Sequence, residues 1–219
     1  MNETFVENSI NEYPFDANIA FDIGANFGKY TQMLSRKFKK VYAFEPDLTN
    51  IPVLRTATVE HGFNNVELVC KAISNKTGKT KFYYSDDNCG GHTIAEDIAY
   101  LEKYGHHKEQ YREVSTITID DFCYLKSIVP NLIKMDIEGA EDFAWEGAIN
   151  TLRDNVVDII LEVHINVDTE KLSNFFRDLG YRFVKDDLSG WADKLERDRH
   201  YIITNRPVEQ LEAERPAAA

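Results

Sequence analysis

Short, nearly continuous apolar runs alternate along the chain with stretches in which apolar residues recur at helical spacing. The continuous runs are typical of strands buried in a parallel sheet, and the stretches between them are typical of helices packed against it. This alternation predicts an α/β fold with a doubly wound sheet. The predicted strands span 18–23, 41–44, 66–70, 131–135 and 156–163, and the predicted helices 28–38, 48–62, 138–152 and 169–179.

Two pairs of further strands are predicted beside this alternation. Residues 80–84 and 114–119 alternate apolar and polar side chains and are expected to pair, while 181–184 and 200–203 complete the sheet as a closing pair. The polar segment 85–113 is too long for a simple turn and therefore predicts an insertion.

Composition is consistent with one domain of ordinary globular type. The chain has 219 residues, of which 43% are hydrophobic and 28% charged, enough for one α/β domain with a sizeable core. We expect that domain to span 1–206, with 85–113 as its insertion and 207–219 as a loose C-terminal tail.

Net charge and cysteine usage limit the kinds of binding partner and the cellular compartment that we expect. With 37 acidic and 25 basic residues the net charge is −12, which opposes binding to a phosphate backbone and argues against a nucleic-acid substrate. The three cysteines have no CxxC spacing, which suits reduced thiols in a cytoplasmic location. A polar N-terminus and the lack of a long apolar run predict a soluble protein with no signal peptide and no membrane span. The oligomeric state cannot be read from the sequence.

A glycine turn followed by an acidic residue is the most informative motif. The first predicted strand ends in the string Asp22-Ile23-Gly24-Ala25-Asn26-Phe27-Gly28, and the second ends at Glu45. Glycines at such a turn let the backbone approach a ligand closely. Glu45 lies about twenty residues beyond Gly24, the spacing at which a carboxylate accepts hydrogen bonds from ribose hydroxyls. The motif therefore predicts an adenosine-type ligand, against the alternative of a tight turn that binds nothing.

The glycine pattern also distinguishes between adenosine ligands. A dinucleotide fingerprint needs a second glycine beside the pyrophosphate, and Asn26 occupies that position here. Asp22 would place negative charge near a phosphate, but it could accept hydrogen bonds from an ammonium group. S-adenosylmethionine (SAM), which carries an amino acid in place of phosphates, is therefore the favoured cofactor, with Asp22, Gly24, Asn26, Gly28 and Glu45 as binding residues.

Several strings resemble, in order, those of the FkbM family of SAM-dependent methyltransferases. Beyond the glycine turn they are Phe44-Glu45-Pro46, Cys70-Lys71-Ala72-Ile73-Ser74, Thr118-Ile119-Asp120-Asp121-Phe122, Ile133-Lys134-Met135-Asp136-Ile137-Glu138-Gly139-Ala140-Glu141 and Leu161-Glu162-Val163-His164. The resemblance covers roughly residues 19 to 165. It implies a Rossmann-like sheet of seven strands with the last strand reversed, and O-methylation of sugars or polyketide-type hydroxyls. The chain departs from the family at 88–93, a region expected to face the acceptor.

Candidate catalytic residues follow the predicted strands. Ligands collect at the carboxyl ends of strands in open α/β sheets, and His164 and Asp136 each end a central strand. His164 is the first choice for a general base that activates the acceptor hydroxyl, although it could instead order the loop. Asp136 is expected beside the cofactor's methionine end or the acceptor. Ala72 and Ile73, after the third strand, are expected to cover the adenine ring.

The acceptor side has weaker candidates. Glu138 follows Asp136 near the start of a helix, where acidic residues are favoured whatever the function. His92 and Tyr104 lie in the insertion and could contact a sugar, and the spacing of Leu101, Tyr104 and Lys108 indicates a short cap helix.

A metal is not predicted. Asp136, Glu138 and Glu162 could together bind Mg²⁺ through carboxylate oxygens, but no loop has a dedicated metal-ligand spacing.

Three classes of function remain open from the sequence. The leading prediction is a SAM-dependent O-methyltransferase that acts on a sugar, a glycan or a related small metabolite. A nicotinamide-dependent oxidoreductase is permitted by Glu45 but disfavoured by the missing middle glycine. A SAM-binding module without turnover is the third, and the strand-end carboxylate and histidine argue against it.

Overall fold

The computed structural model describes residues 3–85, 88–96, 101, 109–185 and 190–207. Within them the helices are α1 Glu3–Glu12, α2 Lys29–Lys37, α3 Ile51–Glu60, α4 Ile119–Lys126, α5 Glu141–Glu146, α6 Ile149–Asp154 and α7 Thr169–Asp178. The strands are β1 Ile19–Ile23, β2 Lys40–Phe44, β3 Val66–Val69, β4 Ala72–Ile73, β5 Gly78–Ser85, β6 Asn88–Thr93, β7 Tyr111–Ile117, β8 Leu132–Met135, β9 Asp158–Val163, β10 Arg182–Val184, β11 Trp191–Ala192 and β12 Arg199–Thr204.

The main sheet has the strand order β11-β10-β12-β9-β8-β1-β2-β3. The five strands β9, β8, β1, β2 and β3 pair in parallel in that order. The last strand that the structure describes, β12, is antiparallel to both of its neighbours. The predicted α/β sheet with a reversed last strand is therefore observed. The count of seven strands needs correction, because the two residues of β11 add an eighth at the edge. So short a strand leaves no hydrophobic pattern in the sequence.

Both faces of the central strands are covered. Phe21 of β1 lies in a cluster with Phe122, Trp145 and Phe176, which come from α4, α5 and α7. On the other face, Ala20 and its neighbours meet α1 and α2. Strands buried on both faces explain the continuous apolar runs in the sequence. The helix α1 was missed because its apolar positions stand among polar residues.

A second sheet of four strands, in the order β4-β7-β5-β6, carries the predicted insertion. The predicted pairing of 80–84 with 114–119 is confirmed between β5 and β7. The second of these strands ends earlier than predicted, because the Thr118 hydroxyl accepts a hydrogen bond from the Asp121 amide and starts α4. Tyr104 and Lys108 of the predicted cap helix lie outside the described residues.

The helix predicted over 138–152 is two helices. Glu138 and Gly139 have φ of +57° and +89°, a left-handed conformation that delays the helix to Glu141. At Gly147, between α5 and α6, an added Cβ would lie 2.4 Å from the carbonyl oxygen of Ser74. The strand end at Asp136 is thus followed by an open loop rather than a helix.

In the part of the chain that the structure describes, no helix has the length and hydropathy that a membrane crossing requires.

Candidate active site

A cavity opens at the carboxyl edge of the main sheet. Its wall is formed by the residues that follow β1, β2 and β8 and by parts of β4, β5 and β6. This is the edge at which open α/β sheets bind ligands. Among the predicted site residues, the structure brings Gly24, Asn26, Glu45, Ala72, Ile73, His92, Asp136 and Glu138 to this wall.

The glycine turn is required by close packing. Gly24 has φ of +79°, and a Cβ there would lie 1.8 Å from the carbonyl oxygen of Asp136. Gly28, with φ of +90°, would place a Cβ 2.6 Å from Leu54. Asn26 between them is also left-handed, with φ of +48°, a conformation that asparagine tolerates better than most residues. The turn therefore holds the ends of β1 and β8 against each other at the cavity.

Glu45 lies on the cavity wall and fixes the same turn. Its carboxylate accepts hydrogen bonds of 2.8 Å from the amides of Asn26 and Asp47. The side chain is 5% exposed, and burial raises its pKa to about 7 in spite of these donors. Glu45 is therefore a buried carboxyl group at the cavity whose charge is sensitive to pH near neutrality.

Asp22 does not reach the cavity wall. It is fully buried, accepts a 2.6 Å hydrogen bond from the Thr31 hydroxyl and lies 3.5 Å from the Lys134 ammonium. Lys134 also donates to the carbonyl oxygen of Gly24 at 3.3 Å. The expected contact between Asp22 and a ligand ammonium is replaced by support of the glycine turn, because its side chain points to the α2 face of the sheet.

Ala72 and Ile73 form β4 and are both buried at the cavity. Phe44, Phe82 and Ile94 lie on the same wall. These side chains make an apolar slot next to Glu45.

His92 is fixed at the cavity by a buried acid that the sequence did not reveal. Asp47 is fully buried, faces His92 Nδ1 at 2.9 Å and accepts from Arg112 at 3.1 Å and from the Thr49 hydroxyl at 2.7 Å. Burial would raise the pKa of Asp47, but hydrogen bonds from His92 and Thr49 hold it well below its usual range. Asp47 thereby ties β6 and β7 of the second sheet to the carboxyl end of β2.

Acidic side chains surround His164 at the end of β9. Its Nδ1 lies 2.7 Å from Glu141 Oε1, and its Nε2 lies 3.4 Å from Glu138 and 3.6 Å from Asp136. Glu162 is also near, at 3.9 Å from Nε2. Asp136, Glu138 and His164 each offer one ligand atom, and these atoms lie within 4.8 Å of one another. From the sequence, Glu162 was the third possible metal ligand beside Asp136 and Glu138, whereas in the structure His164 has that position.

This environment determines the charge of His164. Burial alone would lower its pKa, but the charge of Glu141 and the hydrogen bonds that the imidazole donates to Glu138 and Glu141 raise it to about 12. The raised pKa favours the protonated imidazole, which does not accept the proton of a hydroxyl group, and the role of His164 as the general base stays a prediction. Burial raises the pKa of Asp136 to about 6, against the opposing charge of Lys134. Asp136, at the cavity, is ionised near neutral pH.

Glu141 was not singled out from the sequence, but the structure makes it a functional candidate. It is fully buried, and its Oε1 contacts His164 and accepts from the Gly139 amide at 3.2 Å. A buried acid in the first turn of a helix cannot be distinguished from an exposed one by sequence spacing. The position of His164, 23 residues later, shows its role only once the fold is known.

Comparisons with known proteins identify the family of this chain. The model of the methyltransferase FkbM domain matches residues 22–183. The hexuronic acid methyltransferase AglP of Haloferax volcanii is 25% identical over 191 residues, covering 86% of this chain and 71% of that protein. The crystal structure of the methyltransferase FkbM from Methylobacillus flagellatus KT has a TM-score of 0.58 and 19% identity. It covers 86% of this chain, which spans only 44% of the length of that one.

The family match includes the glycine turn, Glu45, Asp136 and His164, and these residues surround or adjoin one cavity. The chain belongs to the FkbM family and contains a methyltransferase domain whose methyl donor is S-adenosylmethionine.

Proposed function

We propose that this chain transfers the methyl group of SAM to a hydroxyl group of a sugar, a glycan or a related small metabolite. The observation that carries the proposal is the composition of one cavity. Glu45 and the apolar slot at Ala72 and Ile73 suit an adenosine, and the carboxylates of Asp136 and Glu138 line the same cavity. In this proposal the methyl donor and the acceptor therefore bind at the same edge of the sheet.

The residues at the cavity fit SAM. Asn26 Oδ1 is buried at the wall and accepts no hydrogen bond from the described part of the chain, so it can accept one from a ligand amine. The carboxylate of Glu45 can accept hydrogen bonds from ribose hydroxyls. A side chain at Gly24 would overlap the carbonyl group of Asp136, so glycine keeps the turn packed against the end of β8.

Bound SAM supplies an electrophilic methyl group on a sulfonium centre. The protein's task is to hold the acceptor oxygen in line with that group and to exclude water. The Asp136 carboxylate lines the cavity, and in this proposal it accepts the proton of the acceptor hydroxyl, a contribution of about 10²- to 10⁴-fold. His164 orients Asp136 and Glu138 through its Nε2, and Glu141 fixes the imidazole ring through its contact with Nδ1.

An acidic sugar is the first acceptor to test. The relative from Haloferax volcanii bears the name hexuronic acid methyltransferase, and Lys71 on the cavity wall supplies a cation for a sugar carboxylate. The net charge of −12 favours small acceptors over nucleic acids.

The test is an incubation with SAM and a panel of glycosides of hexuronic acids and of neutral hexoses. We expect S-adenosylhomocysteine to form together with a product heavier by one methylene unit. A methyl ether survives mild base, whereas a methyl ester formed on the sugar carboxylate is hydrolysed. Asp136→Asn should lower turnover at least a hundredfold with little change in SAM affinity, and Glu170→Gln, an exposed acid, should match the wild type. A base-labile product, or transfer only to RNA or protein, would overturn the proposal.

A further inference from the structure

The cluster of Asp136, Glu138 and His164 has the donor set of a metal site. Two carboxylate oxygens and one imidazole nitrogen lie within 4.8 Å of one another. Ligand atoms at about 2.1 to 2.3 Å from one shared ion are roughly 3 to 3.7 Å apart. The distances of 3.4 and 3.6 Å from His164 Nε2 to the two acids fall in that range.

The orientation of His164 supports the same interpretation. Its Nδ1 lies 2.7 Å from the buried Glu141 carboxylate, which fixes the ring and directs Nε2 at Asp136 and Glu138. Histidines that bind metals usually have a carboxylate or carbonyl acceptor at the other nitrogen, and that acceptor is conserved for its effect on affinity. Glu141 has this position here, and Gly139 donates to it from the loop that carries Glu138.

A second observation concerns the hydrogen bonding of one oxygen atom in this cluster. Asp136 Oδ1 is sealed from solvent and has no hydrogen-bond partner among the described residues. This atom is the one that faces His164. A buried carboxylate oxygen without a donor is costly, and Lys134, at 3.9 Å, faces the other oxygen of the same group. A cation between Oδ1 and Nε2 would satisfy the orphaned oxygen.

We propose that Asp136, Glu138 and His164 bind one divalent cation of the Mn²⁺ type. The carboxylate oxygens suit Mg²⁺ and Mn²⁺, and the imidazole nitrogen favours a transition metal over Mg²⁺ or Ca²⁺. On binding, the proton on Nε2 leaves to solvent and the nitrogen lone pair is donated to the ion. The ion then balances the carboxylates that the protonated imidazole otherwise balances.

The position of the site indicates what the ion does. Asp136 and Glu138 both line the cavity, so the remaining coordination positions face the space beside them. A hydroxyl oxygen bound there would be held in place and made more acidic. This role of the ion rests on the proposed function, whereas the binding of the ion does not.

The experiment measures Mn²⁺ binding alone, on the full chain treated with a chelator and without SAM or acceptor. Electron paramagnetic resonance reports the free hexaaqua ion, whose signal is lost on binding. We expect one ion per chain. Asp136→Asn and Glu138→Gln should each weaken binding at least tenfold, and Glu141→Gln should weaken it by about 10- to 100-fold through the ring of His164. Glu170→Gln, an exposed acid on α7, should bind as the wild type does.

Failure of this inference can be told from failure of the proposed function. SAM calorimetry on the same samples reports the cofactor site and also shows that each variant is folded. SAM binding without Mn²⁺ binding would overturn the metal site alone. Mn²⁺ binding that survives both Asp136→Asn and Glu138→Gln would place the ion elsewhere and overturn it equally. Loss of Mn²⁺ binding in these variants with SAM binding retained is the result that supports it.

Discussion

The carboxyl group of Glu45 should link cofactor affinity to pH. Burial raises its pKa to about 7 in the free protein. Ribose hydroxyls that donate to the carboxylate favour its ionised form and lower the pKa in the complex. The free protein must therefore lose a proton before SAM binds when the pH is below 7. Affinity for SAM should fall as the pH falls through that value.

The magnitude follows from the titration. One unit below its pKa the carboxyl group is protonated in roughly ten molecules of eleven, so the dissociation constant of SAM should rise about eight- to tenfold between about pH 7.5 and pH 6. Glu45→Gln has no such proton to lose. The affinity of this variant for SAM should be lower than that of the wild type near pH 7.5 and should change little between pH 7.5 and pH 6.

Isothermal titration calorimetry with SAM measures both proteins at both pH values. The amino group of SAM has an ordinary pKa of about 7.7 to 8.0, but it titrates identically in the two experiments and cancels in the comparison. A wild-type affinity that does not change between the two pH values, or the same slope in Glu45→Gln, would refute the assignment of Glu45 to the ribose.

Three further predictions concern the stability of the protein without ligand. Gly24→Ala should lower the free energy of unfolding by about 1 to 3 kcal/mol more than Gly180→Ala, because both glycines are left-handed but only a Cβ at Gly24 would clash with another atom. Equal losses in chemical denaturation would contradict this. The free energy of unfolding of the wild type should fall by about 3 kcal/mol relative to that of Glu45→Gln as the pH rises from 4.5 to about 7. The reason is that a carboxyl group with a raised pKa stabilises the folded protein only while it is protonated. Parallel pH profiles of the melting temperature would count against this prediction. Arg206→Met should cost about 3 to 5 kcal/mol, since it leaves Asp158 buried without the guanidinium now 2.7 Å away, and an unchanged denaturation midpoint would contradict that.

Comparing Gly24→Ala with Gly180→Ala separates the cost of the steric clash from the cost of the left-handed backbone conformation. Gly24 and Gly180 have φ of +79° and +81°, and a Cβ at Gly180 would meet no atom within 4 Å. Backbone strain is therefore the same in the two variants. Any difference between them measures the contact with the Asp136 carbonyl.

The parallel core was predictable because buried strands leave continuous apolar runs. Residues 18–23 and 131–135 contain strands β1 and β8 within a residue of their observed bounds. Two-residue strands such as β11 and the helix break at Gly147 were not predictable, since both depend on contacts with distant parts of the chain.

At the site, residue identity was easier to predict than residue role. Glu45 and Asp136 were placed at the cavity by strand spacing alone. Asp22 was expected there as well, but side-chain alternation turns it toward Thr31. The protonated state of His164 depends on Glu141, a partner that sequence spacing does not reveal.

The most direct test of the central claim is calorimetric titration of the wild-type chain with SAM, S-adenosylhomocysteine and NADH in turn. A ligand at about a hundred times its dissociation constant stabilises the native state by about 2.7 kcal/mol, so a thermal shift of several degrees should accompany binding. We predict one site for each adenosyl ligand and no heat of binding with NADH. Binding of NADH alone would contradict the account.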